Sequence, residues 1–581
     1  MSGTMSDAWV AAPRSFSMSL ARSSSAEPPV PWVEGLTIGQ ALAATVARHG
    51  AGDALVFPQL GLRLSYCQFL ERVDEAARGL LALGIGRGEH VAVWATNVPE
   101  WVVLQFATAR IGAVLVTINP AYRPFELKYV LNQCDAKALF LVDRFKKSDY
   151  FAMLAEVCPE LTAAEPGQLQ SEAFALLRWV VTLRGAPPAG TIPWEEMCRR
   201  GQSISPQELA ATGASLQPGD AINIQYTSGT TGFPKAATLS HRNLLLNTYY
   251  VGQCLRLTER DRICIPVPFY HCFGCVLGTI CAAVYGAAMI VPAESFDAAA
   301  TLAAIEAEQA TALYGVPTMF IAELHEPSRA DRDLSSLRTG IMAGSPCPIE
   351  TMRAVMNDLG CREITIGYGQ TEASPIITET RTDDSIALRV ETVGRPLPGL
   401  EVKVIDPASG QTLGDNQQGE LCSRGHAVMI GYYKNPEATA AAIDCDGWLH
   451  TGDLALRLPS GYYKITGRIK DMVIRGGENI FPREIEEFLF THPAVEQATV
   501  VGVPDPKYGE ELCAWIKLKS GQTATEEEIR EFCRGQLAHF KVPRYVRFVE
   551  SFPQTVTGKI QKFKIREIMC GELGLKEQIT A

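Results

Sequence analysis

The chain has 581 residues, of which 47% are hydrophobic and 20% are charged, and its formal net charge at pH 7 is −11. This length is too great for one hydrophobic core, so we expect a globular protein with two or more domains. The acidic balance argues against a nucleic acid partner, because a phosphate-binding face needs clustered lysine and arginine. Anionic ligands must therefore be held by local groups.

The first 35 residues are expected to form a disordered segment. They are rich in Ser, Ala and Pro, and they hold Arg14 and Arg22 against the single acid Asp7 before Glu27. A mitochondrial presequence has this composition, and so has an unstructured bacterial N-terminus. Two arginines are few for a presequence, so the sequence favours the cytoplasm, with the mitochondrial matrix as the alternative.

Helical and strand patterns alternate from Leu36 onward. They predict a helix at Ile38–His49, a strand at Glu89–Ala95, a helix at Trp101–Ile111 and a strand at Ala138–Val142. Repeated strand–helix units predict doubly wound sheets of an α/β fold. Residues 159–174, rich in Glu, Ala, Gln and Pro, are expected to form a surface excursion.

The segment from Tyr226 to Lys235 reads YTSGTTGFPK and follows the strand-like run Ala221–Gln225. Glycines let backbone N–H groups approach phosphate oxygens, hydroxyls donate hydrogen bonds, and Lys235 supplies a charge. The residue order differs from the P-loop of NTPases, where glycine directly precedes the lysine. The segment therefore predicts another kind of polyphosphate cradle rather than an ordinary turn. Its candidate contact residues are Thr227, Ser228, Gly229, Thr230, Thr231, Gly232, Phe233, Pro234 and Lys235.

The stretch between Arg262 and Glu294 contains no Asp, Glu, Lys or Arg, so its length alone would allow it to cross a bilayer. Prolines, glycines and the polar pair Tyr270-His271 interrupt it, which favours a buried strand, helix and strand over a transmembrane segment. Peripheral membrane contact stays open. A histidine in an apolar run is more often a packed core residue than a functional one.

Sixteen cysteines are scattered without regular spacing, which is typical of a reducing compartment. Cys272 and Cys275 have the spacing of a metal-binding or redox pair. Since no second pair accompanies them and their surroundings are apolar, we expect packed thiols there.

Three later segments each look like a strand that ends in a turn: Leu313–Phe320, Ile341–Pro346 and Ile364–Glu372. In open α/β sheets ligands bind at the carboxyl ends of strands, so the first two are expected to wall a pocket. In the third, Tyr368 can stack on a base and Glu372 can ligate Mg²⁺, although a turn with an incidental acid is the alternative.

The composition changes beyond Arg468, where a linker, a strand and a glycine turn are expected. Strands at Ala498–Val503 and Leu512–Leu518 and helices at Pro482–Thr491 and Glu526–Leu537 predict a small α+β domain. The basic segment Thr555–Arg566 has a solvated charge run as its usual explanation. Asp453 and Arg468 suit a ribose site, but their spacing alone is weak support.

Six motifs resemble, in order, those of the adenylate-forming superfamily, which includes acyl-CoA synthetases, peptide synthetase adenylation domains and firefly luciferase. The resemblance covers about residues 36–570. The chain is most similar to medium-chain fatty acyl-CoA synthetases of the family member 2 type, through Tyr270–Gly274, Lys470–Ile480 and His539–Pro543. One departure is Ala236, where glycine is common, and a methyl group is tolerated there if φ is negative.

The resemblance implies a large domain at residues 36–466 with the ATP and acyl sites, a hinge at 467–471 around Lys470, and a small mobile domain at 472–581. It also implies the ligands ATP, Mg²⁺ and CoA and the roles of single residues. These are adenine at Tyr368, ribose at Asp453 and Arg468, Mg²⁺ at Glu372, the α-phosphate near Thr371, the acyl carboxylate at His271, the catalytic lysine Lys559, the pantetheine channel at Gly476, Gly477 and Glu478, and the acyl pocket at Tyr270, Tyr314, Gly344 and Ser345.

The implied reaction has two halves. A fatty carboxylate attacks the α-phosphorus of Mg-ATP to give an acyl-adenylate and pyrophosphate, and the CoA thiolate then displaces AMP. Aryl acids, delivery of the acyl group to a carrier protein or to oxygen, and a nucleotide sensor without turnover are the alternatives. The sequence leaves the acyl chain length open, as well as the choice between a monomer and a homodimer.

Overall fold

The fold is that of a computed structural model, which describes residues 30–227, 234–345, 347–475, 478–534, 536–555 and 558–575. The described residues from Val33 onward form one compact unit, and of residues 1–32 the structure describes Val30–Trp32. The expected N-terminal segment at residues 1–35 thus lies almost wholly outside the described residues.

Seventeen α-helices occur in the described residues. They are α1 Ile38–His49, α2 Tyr66–Ala82, α3 Pro99–Ile111, α4 Pro124–Gln133, α5 Tyr150–Val157, α6 Trp194–Arg200, α7 Pro206–Ala214, α8 His241–Cys254, α9 Cys281–Tyr285, α10 Ala298–Glu308, α11 Pro317–His325, α12 Ile349–Asp358, α13 Ile386–Glu391, α14 Pro436–Ala442, α15 Pro482–Phe490, α16 Glu526–Cys533 and α17 Lys562–Glu572. None of them has the length and apolar character needed to span a membrane.

Two large mixed sheets carry most of the chain. In spatial order, the first sheet consists of β18 Arg395–Pro396, β17 Ile376–Glu379, β16 Glu363–Gly369, β15 Thr339–Met342, β14 Ala312–Gly315, β12 Arg262–Cys264, β13 Ala288–Ile290, β1 Asp53–Phe57 and β2 Leu62–Ser65. The second sheet consists of β21 Gly431–Tyr432, β11 Lys235–Ser240, β10 Ala221–Thr227, β4 Val114–Thr117, β3 His90–Trp94, β5 Ala136–Leu141, β8 Trp179–Thr182 and β9 Ile192–Pro193. Their inner strands run parallel and are almost wholly buried, as two-sided sheets require.

Three smaller sheets complete the fold. The third sheet is antiparallel, with β19 Leu400–Ile405, β20 Gly419–Gly425, β22 Leu449–Arg457 and β23 Tyr463–Arg468. The C-terminal sheet has the order β25 Glu478–Ile480, β24 Val473–Arg475, β27 Gly509–Leu518 and β26 Val495–Asp505, with β28 Tyr545–Phe548 parallel to β27. A two-stranded ribbon pairs β6 Arg144–Phe145 with β7 Ser148–Asp149.

The C-terminal sheet has a hydrophobic core separate from the one that the first and third sheets share. Ile364 of β16, Leu421 of β20 and Leu449 of β22 belong to one cluster, so the third sheet packs against the first. Val500 and Leu512 of the C-terminal sheet belong to a different cluster. A core of its own is what distinguishes a domain, so the expected α/β fold with a distinct C-terminal domain is confirmed. The residue limits expected for the domains and the hinge stay a prediction.

The predicted elements in the first half of the chain agree closely with the structure. Helix α1 has the predicted bounds, because Thr37 and Gln40 form a capping box at its start. Helix α8 is also capped, because it begins after Ser240, whose hydroxyl accepts the N–H of Asn243 at 3.1 Å. The apolar stretch after Arg262 forms β12, a buried π-helix at Phe273–Ile280, α9 and β13, which confirms the buried interpretation.

One predicted helix end differs from the structure, and the condition set for Ala236 is met. Helix α16 ends at Cys533 rather than at Leu537, since Arg534 has extended backbone and forms an isolated bridge with Leu537. Ala236 lies within β11 opposite Tyr226, in extended backbone that accepts a methyl group.

Helix α8 holds two segments near the candidate site: the start of β17 and the loop at residues 426–428. The amide of the fully buried Asn247 donates to the carbonyl of Ile376 at 2.7 Å and accepts that residue's N–H at 3.2 Å. Asn243 donates to the carbonyls of His426 and Val428 at 2.6 and 3.0 Å. Both segments flank Glu372, so α8 fixes the backbone around this carboxylate.

We expect Asn247→Ala to lower the midpoint of thermal unfolding by roughly 3–6 °C, because each buried peptide group left unpaired costs about 1–3 kcal/mol. Differential scanning calorimetry measures the midpoint. The matched control is Gln253→Ala on the exposed face of the same helix, where no change is expected. Equal midpoints for the two variants would contradict this role of Asn247.

Candidate active site

The candidate site lies where four parts of the chain meet. Strands β10 and β11 flank the expected phosphate loop, the turn after β16 carries Glu372, and strands β22 and β23 carry Asp453 and Arg468. The fourth part is the C-terminal segment around Lys559. Of the loop itself, Ser228, Gly229, Thr230, Thr231, Gly232 and Phe233 lie outside the described residues, as do Gly476 and Gly477.

Asp453 accepts hydrogen bonds on both carboxylate oxygens. Arg468 Nε donates to Oδ1 at 2.6 Å, and the hydroxyl of Tyr368 donates to Oδ2 at 2.8 Å. The antiparallel register of β22 and β23 sets Asp453 opposite Arg468. Burial and the charge of Asp453 raise the pKa of Tyr368 well above its ordinary value, so the hydroxyl stays a donor. The structure thus brings together the three residues expected to bind adenine and ribose.

Glu372 lies in a short 3₁₀ turn, Thr371–Ala373, that follows β16. Its side chain is buried, and its Oε1 accepts the hydroxyl of Tyr432 at 2.7 Å and that of Thr227 at 3.5 Å. The carbonyl of Glu372 accepts the N–H of Met429 at 2.9 Å. Among the described residues, both hydroxyl donors reach the same oxygen, Oε1.

Tyr432 is a site residue that the sequence reasoning missed. Its ring centroid lies 5.1 Å from Lys235 Nζ, a cation–π distance, while its hydroxyl bonds Glu372. Strand β21 brings it there by pairing with β11, Tyr432 opposite Ala237. The short run Gly431-Tyr432-Tyr433 marks a strand in the sequence, but no local pattern reveals its distant partner. Tyr432 therefore joins the loop lysine to the expected Mg²⁺ ligand.

His271, the residue expected to bind the acyl carboxylate, lies near enough to Lys559 to feel its charge. Burial, and then the positive charge of Lys559, lower the pKa of His271 to about 4, so the ring is neutral at pH 7. Its Nδ1 accepts the N–H of Phe273 at 3.2 Å, which puts the ring proton on Nε2. The neighbouring Cys272 Sγ lies 3.6 Å from the hydroxyl of Thr371. Cys272 Sγ also lies 3.9 Å from Nε2, and a neutral imidazole with its proton on Nε2 suits the binding of a carboxylate.

The four residues expected to wall the acyl pocket differ in exposure. Tyr314 is fully buried on β14, with its ring centroid 6.1 Å from that of Phe273. Tyr270 and Ser345 are half-buried, and Gly344 is exposed with a φ of +87°. Their part in a pocket stays a prediction. Cys272 and Cys275 are buried free thiols, and Gln225 Nε2 lies 3.3 Å from Cys275 Sγ, as expected for packed cysteines.

Lys559 ends a tight turn that closes on Thr555. The N–H of Lys559 donates to the Thr555 hydroxyl at 3.1 Å, and the N–H of Thr555 donates to the Lys559 carbonyl at 2.8 Å. Between them, Gly558 has a φ of +79°, and a Cβ there would lie 2.6 Å from Thr318 Oγ1 at the start of α11. Only glycine satisfies both constraints, so this turn approaches the large domain through its backbone.

Three cations lie close together around Asp453. Burial, and then the positive charge of Arg468, lower the pKa of Lys559 to about 8, although its side chain stays accessible to solvent. The same two causes lower the pKa of Lys470, which lies in the turn Ile469–Asp471. Glu478 is exposed at the start of β25. Cations held together at this energetic cost are suited to a polyanionic ligand.

Comparisons with known proteins agree with this geometry. Residues 42–433 match the family described as AMP-binding enzyme, and residues 484–559 match the AMP-binding enzyme C-terminal domain. YngI of Bacillus subtilis (strain 168), provisionally named an acyl-CoA synthetase, is 51% identical over 91% of this chain and 96% of its own length. The mitochondrial medium-chain acyl-CoA ligase ACSF2 of Danio rerio is 46% identical over 94% of this chain and 90% of its own length. The crystal structure of the anthranilate CoA ligase AuaEII with anthranoyl-AMP is 27% identical, with a TM-score of 0.82, over 93% of this chain and 98% of AuaEII.

We expect Tyr432→Phe to weaken the binding of Mg-ATP by about tenfold, because loss of a hydrogen bond that orients a metal-binding carboxylate commonly costs that much. Calorimetric titration with ATP, with and without Mg²⁺, measures the change. Tyr433→Phe is the matched control, since that hydroxyl donates to Asp135 instead. A loss of the same size without Mg²⁺ would contradict a role through Glu372.

Proposed function

The chain belongs to the AMP-binding enzyme family, and from this premise we propose that its acid substrate is a medium-chain fatty acid. The protein is an ATP-dependent, AMP-forming acyl-CoA synthetase, which uses ATP, Mg²⁺ and CoA. The relatives at 42–51% identity support the choice of acid, because the ligases among them act on medium-chain acids by name. The buried aromatic residue Phe273, two positions after His271, and the buried Tyr314, whose ring lies 6.1 Å from that of Phe273, support it too, since they suit an apolar chain.

We propose that Asp453, Arg468 and Tyr368 bind the nucleoside of ATP. The carboxylate between a guanidinium and a phenol is held in one orientation, so it can accept both ribose hydroxyls. Glu372 fits Mg²⁺, because a buried carboxylate oxygen is the hard ligand this ion prefers, and bound Mg²⁺ neutralises phosphate charge. Thr227 and Lys235 then hold the pyrophosphate side.

In the adenylation step, the acid's carboxylate attacks the α-phosphorus and the bond to pyrophosphate breaks. Negative charge grows on the α-phosphate oxygens in the transition state, so a cation aimed there lowers the barrier. We assign this role to Lys559, whose convergence with Arg468 and Asp453 is the observation that carries the proposal. Nε2–H of the neutral His271 orients the attacking carboxylate by a hydrogen bond. Because the ring carries no charge, it does not form an ion pair that would lower the nucleophilicity of the carboxylate.

The second step needs a thiolate where Lys559 stands in the first. We propose that the C-terminal domain rotates about Lys470, so that Lys559 leaves and Gly476, Gly477 and Glu478 line the path of CoA. The orientation described here corresponds to the first step, because Gly558 packs on Thr318 and the charge of Lys559 acts on His271. Domain motions of this kind gate many enzymes.

We expect octanoate to be used with a higher kcat/KM than acetate, palmitate or benzoate. Chromatography of the products should find AMP and octanoyl-CoA in equal amounts when pure protein is given ATP, Mg²⁺ and CoA. A preference for benzoate would contradict the fatty acid and favour an aryl acid. ADP in place of AMP would contradict the adenylate route itself.

We expect Lys559→Ala to slow adenylation by about a hundredfold or more, as removal of one group that stabilises the transition state commonly does. Acid-dependent pyrophosphate release measures this step, and the control is the reaction of synthetic octanoyl-AMP with CoA. That reaction should keep its rate in the variant. Equal loss in both reactions would contradict the assignment of Lys559 to the first step.

The pH dependence of adenylation follows from the pKa of Lys559. A lysine is charged below its pKa, so kcat/KM for ATP should be constant below pH 8 and fall as the pH rises through about 8. In Lys559→Arg the cation persists to much higher pH, so this alkaline fall should disappear whatever the residual rate. A fall at the same pH in both proteins would assign the titration to another group.

A further inference from the structure

The third sheet holds a cluster of ligating side chains that the acyl-CoA reaction does not use. Glu420 and Cys422 are two residues apart on β20, so they share one face of the sheet. The register of β20 and β22 sets His450 directly opposite Cys422. One ligand atom from each of the three residues lies within 4.8 Å of the other two.

The distances in the cluster are close to those of a zinc site. Bonds of about 2.0–2.3 Å to nitrogen, oxygen and sulfur put tetrahedral ligand atoms about 3.3–3.6 Å apart. Cys422 Sγ lies 3.6 Å from His450 Nδ1, which matches this separation. His450 Nδ1 and Glu420 Oε2 lie 2.9 Å apart, a hydrogen-bond distance that must widen by about half an ångström for zinc. A small rotation of one side chain provides this change.

A second carboxylate faces the other nitrogen of the histidine. Asp444 Oδ2 lies 3.7 Å from His450 Nε2, while its Oδ1 accepts the N–H groups of Asp446 and Trp448 at 3.0 and 2.8 Å. Histidines that bind metal through one nitrogen usually offer the other N–H to a carboxylate. Asp444 lies on the Nε2 side of the ring, slightly beyond hydrogen-bond distance, while Nδ1 is on the side of Glu420 and Cys422.

The charges around the cluster suit a divalent cation. In the metal-bound state two carboxylates and the Cys422 thiolate would supply three negative charges, against one positive charge from Lys403, which lies opposite Cys422 on β19. The Lys403 ammonium lies 4.1 Å from the ring centroid of Trp448, and Arg424 also stacks on that ring while it pairs with Glu401. The two positive charges of a divalent ion would neutralise the two negative charges that remain.

We propose that Glu420, Cys422 and His450 bind one zinc ion, with water as the fourth ligand. Glu420 and Cys422 are buried, whereas the His450 side chain is 31% exposed, so the ion and its water have access from that side. Zinc binds the thiolate form of cysteine, so the Cys422 thiol would release its proton to solvent when the S–Zn bond forms.

The site would act on the turn that leads to the ribose-binding carboxylate. Glu420 Oε1 accepts the N–H of Gly452 at 2.9 Å, and Gly452 directly precedes Asp453. A metal bound through Glu420 Oε2 of β20 and His450 of β22 would hold these two strands together next to Gly452. The ion is therefore structural, and it is distinct from the Mg²⁺ that Glu372 would hold.

Cobalt is the probe for the test, because thiolate ligation gives Co²⁺ a charge-transfer band in the near ultraviolet. The reduced full-length protein, freed of metal by chelation and without ATP, is titrated with Co²⁺ and then with Zn²⁺. We expect the band to saturate at one equivalent, with release of one proton, and to vanish when one equivalent of Zn²⁺ is added. Absence of the band, or a band that Zn²⁺ does not displace, would overturn the proposal.

Cys422→Ser should lose the band and the bound equivalent, and Glu420→Gln should weaken Co²⁺ binding at least about tenfold. Cys445→Ser is the matched control, since this exposed thiol lies between Asp444 and Asp446 and should leave both signals unchanged. If Cys422→Ser fails to fold, His450→Gln gives the same test. A full equivalent with an unchanged band in either of these two variants would leave the Glu420–His450 pair as a hydrogen-bonded support only.

Discussion

The repulsion among Arg468, Lys470 and Lys559 is the constraint on which the arrangement of the two domains depends. These three cations come from the end of the third sheet, the expected hinge and the C-terminal domain, and Asp453 and Asp471 offset their charges only in part. Like charges in a partly desolvated region raise the free energy of the closed orientation. In the proposed domain rotation a polyphosphate ligand would remove that repulsion, so the electrostatics would couple closure to the presence of nucleotide.

Local periodicity and capping made much of the fold predictable from the sequence. The bounds of α1 follow from the Thr37–Gln40 capping box, and β10 and β26 follow from runs of β-forming residues. Prediction was less accurate where a distant contact decides the outcome. Helix α16 stops at Cys533 because Arg534 pairs with Leu537, and nothing in the apolar pattern of that segment shows it.

The candidate site was partly predictable for the same physical reason. Glu372 and Tyr368 follow a buried strand, and the carboxyl ends of such strands are where ligands bind. Tyr432 was missed because its position depends on the pairing of β21 with β11, about two hundred residues away in the chain. The neutral state of His271 could not be predicted from the sequence either, since it arises from burial and from a lysine of another domain. Lys559 itself was identified through family resemblance rather than through its own spacing.

The packing of Gly558 against Thr318 has a further consequence for turnover. The polar part of this contact is one hydroxyl 3.5 Å from one backbone carbonyl, and the rest is close approach without a side chain. Such a contact defines a position sharply through sterics but contributes little binding energy. The contact therefore limits how closely the turn approaches α11 but does not hold it there. In the proposed rotation, this weak contact would let the lysine-bearing turn reach the same place in every catalytic cycle and leave it without a large barrier.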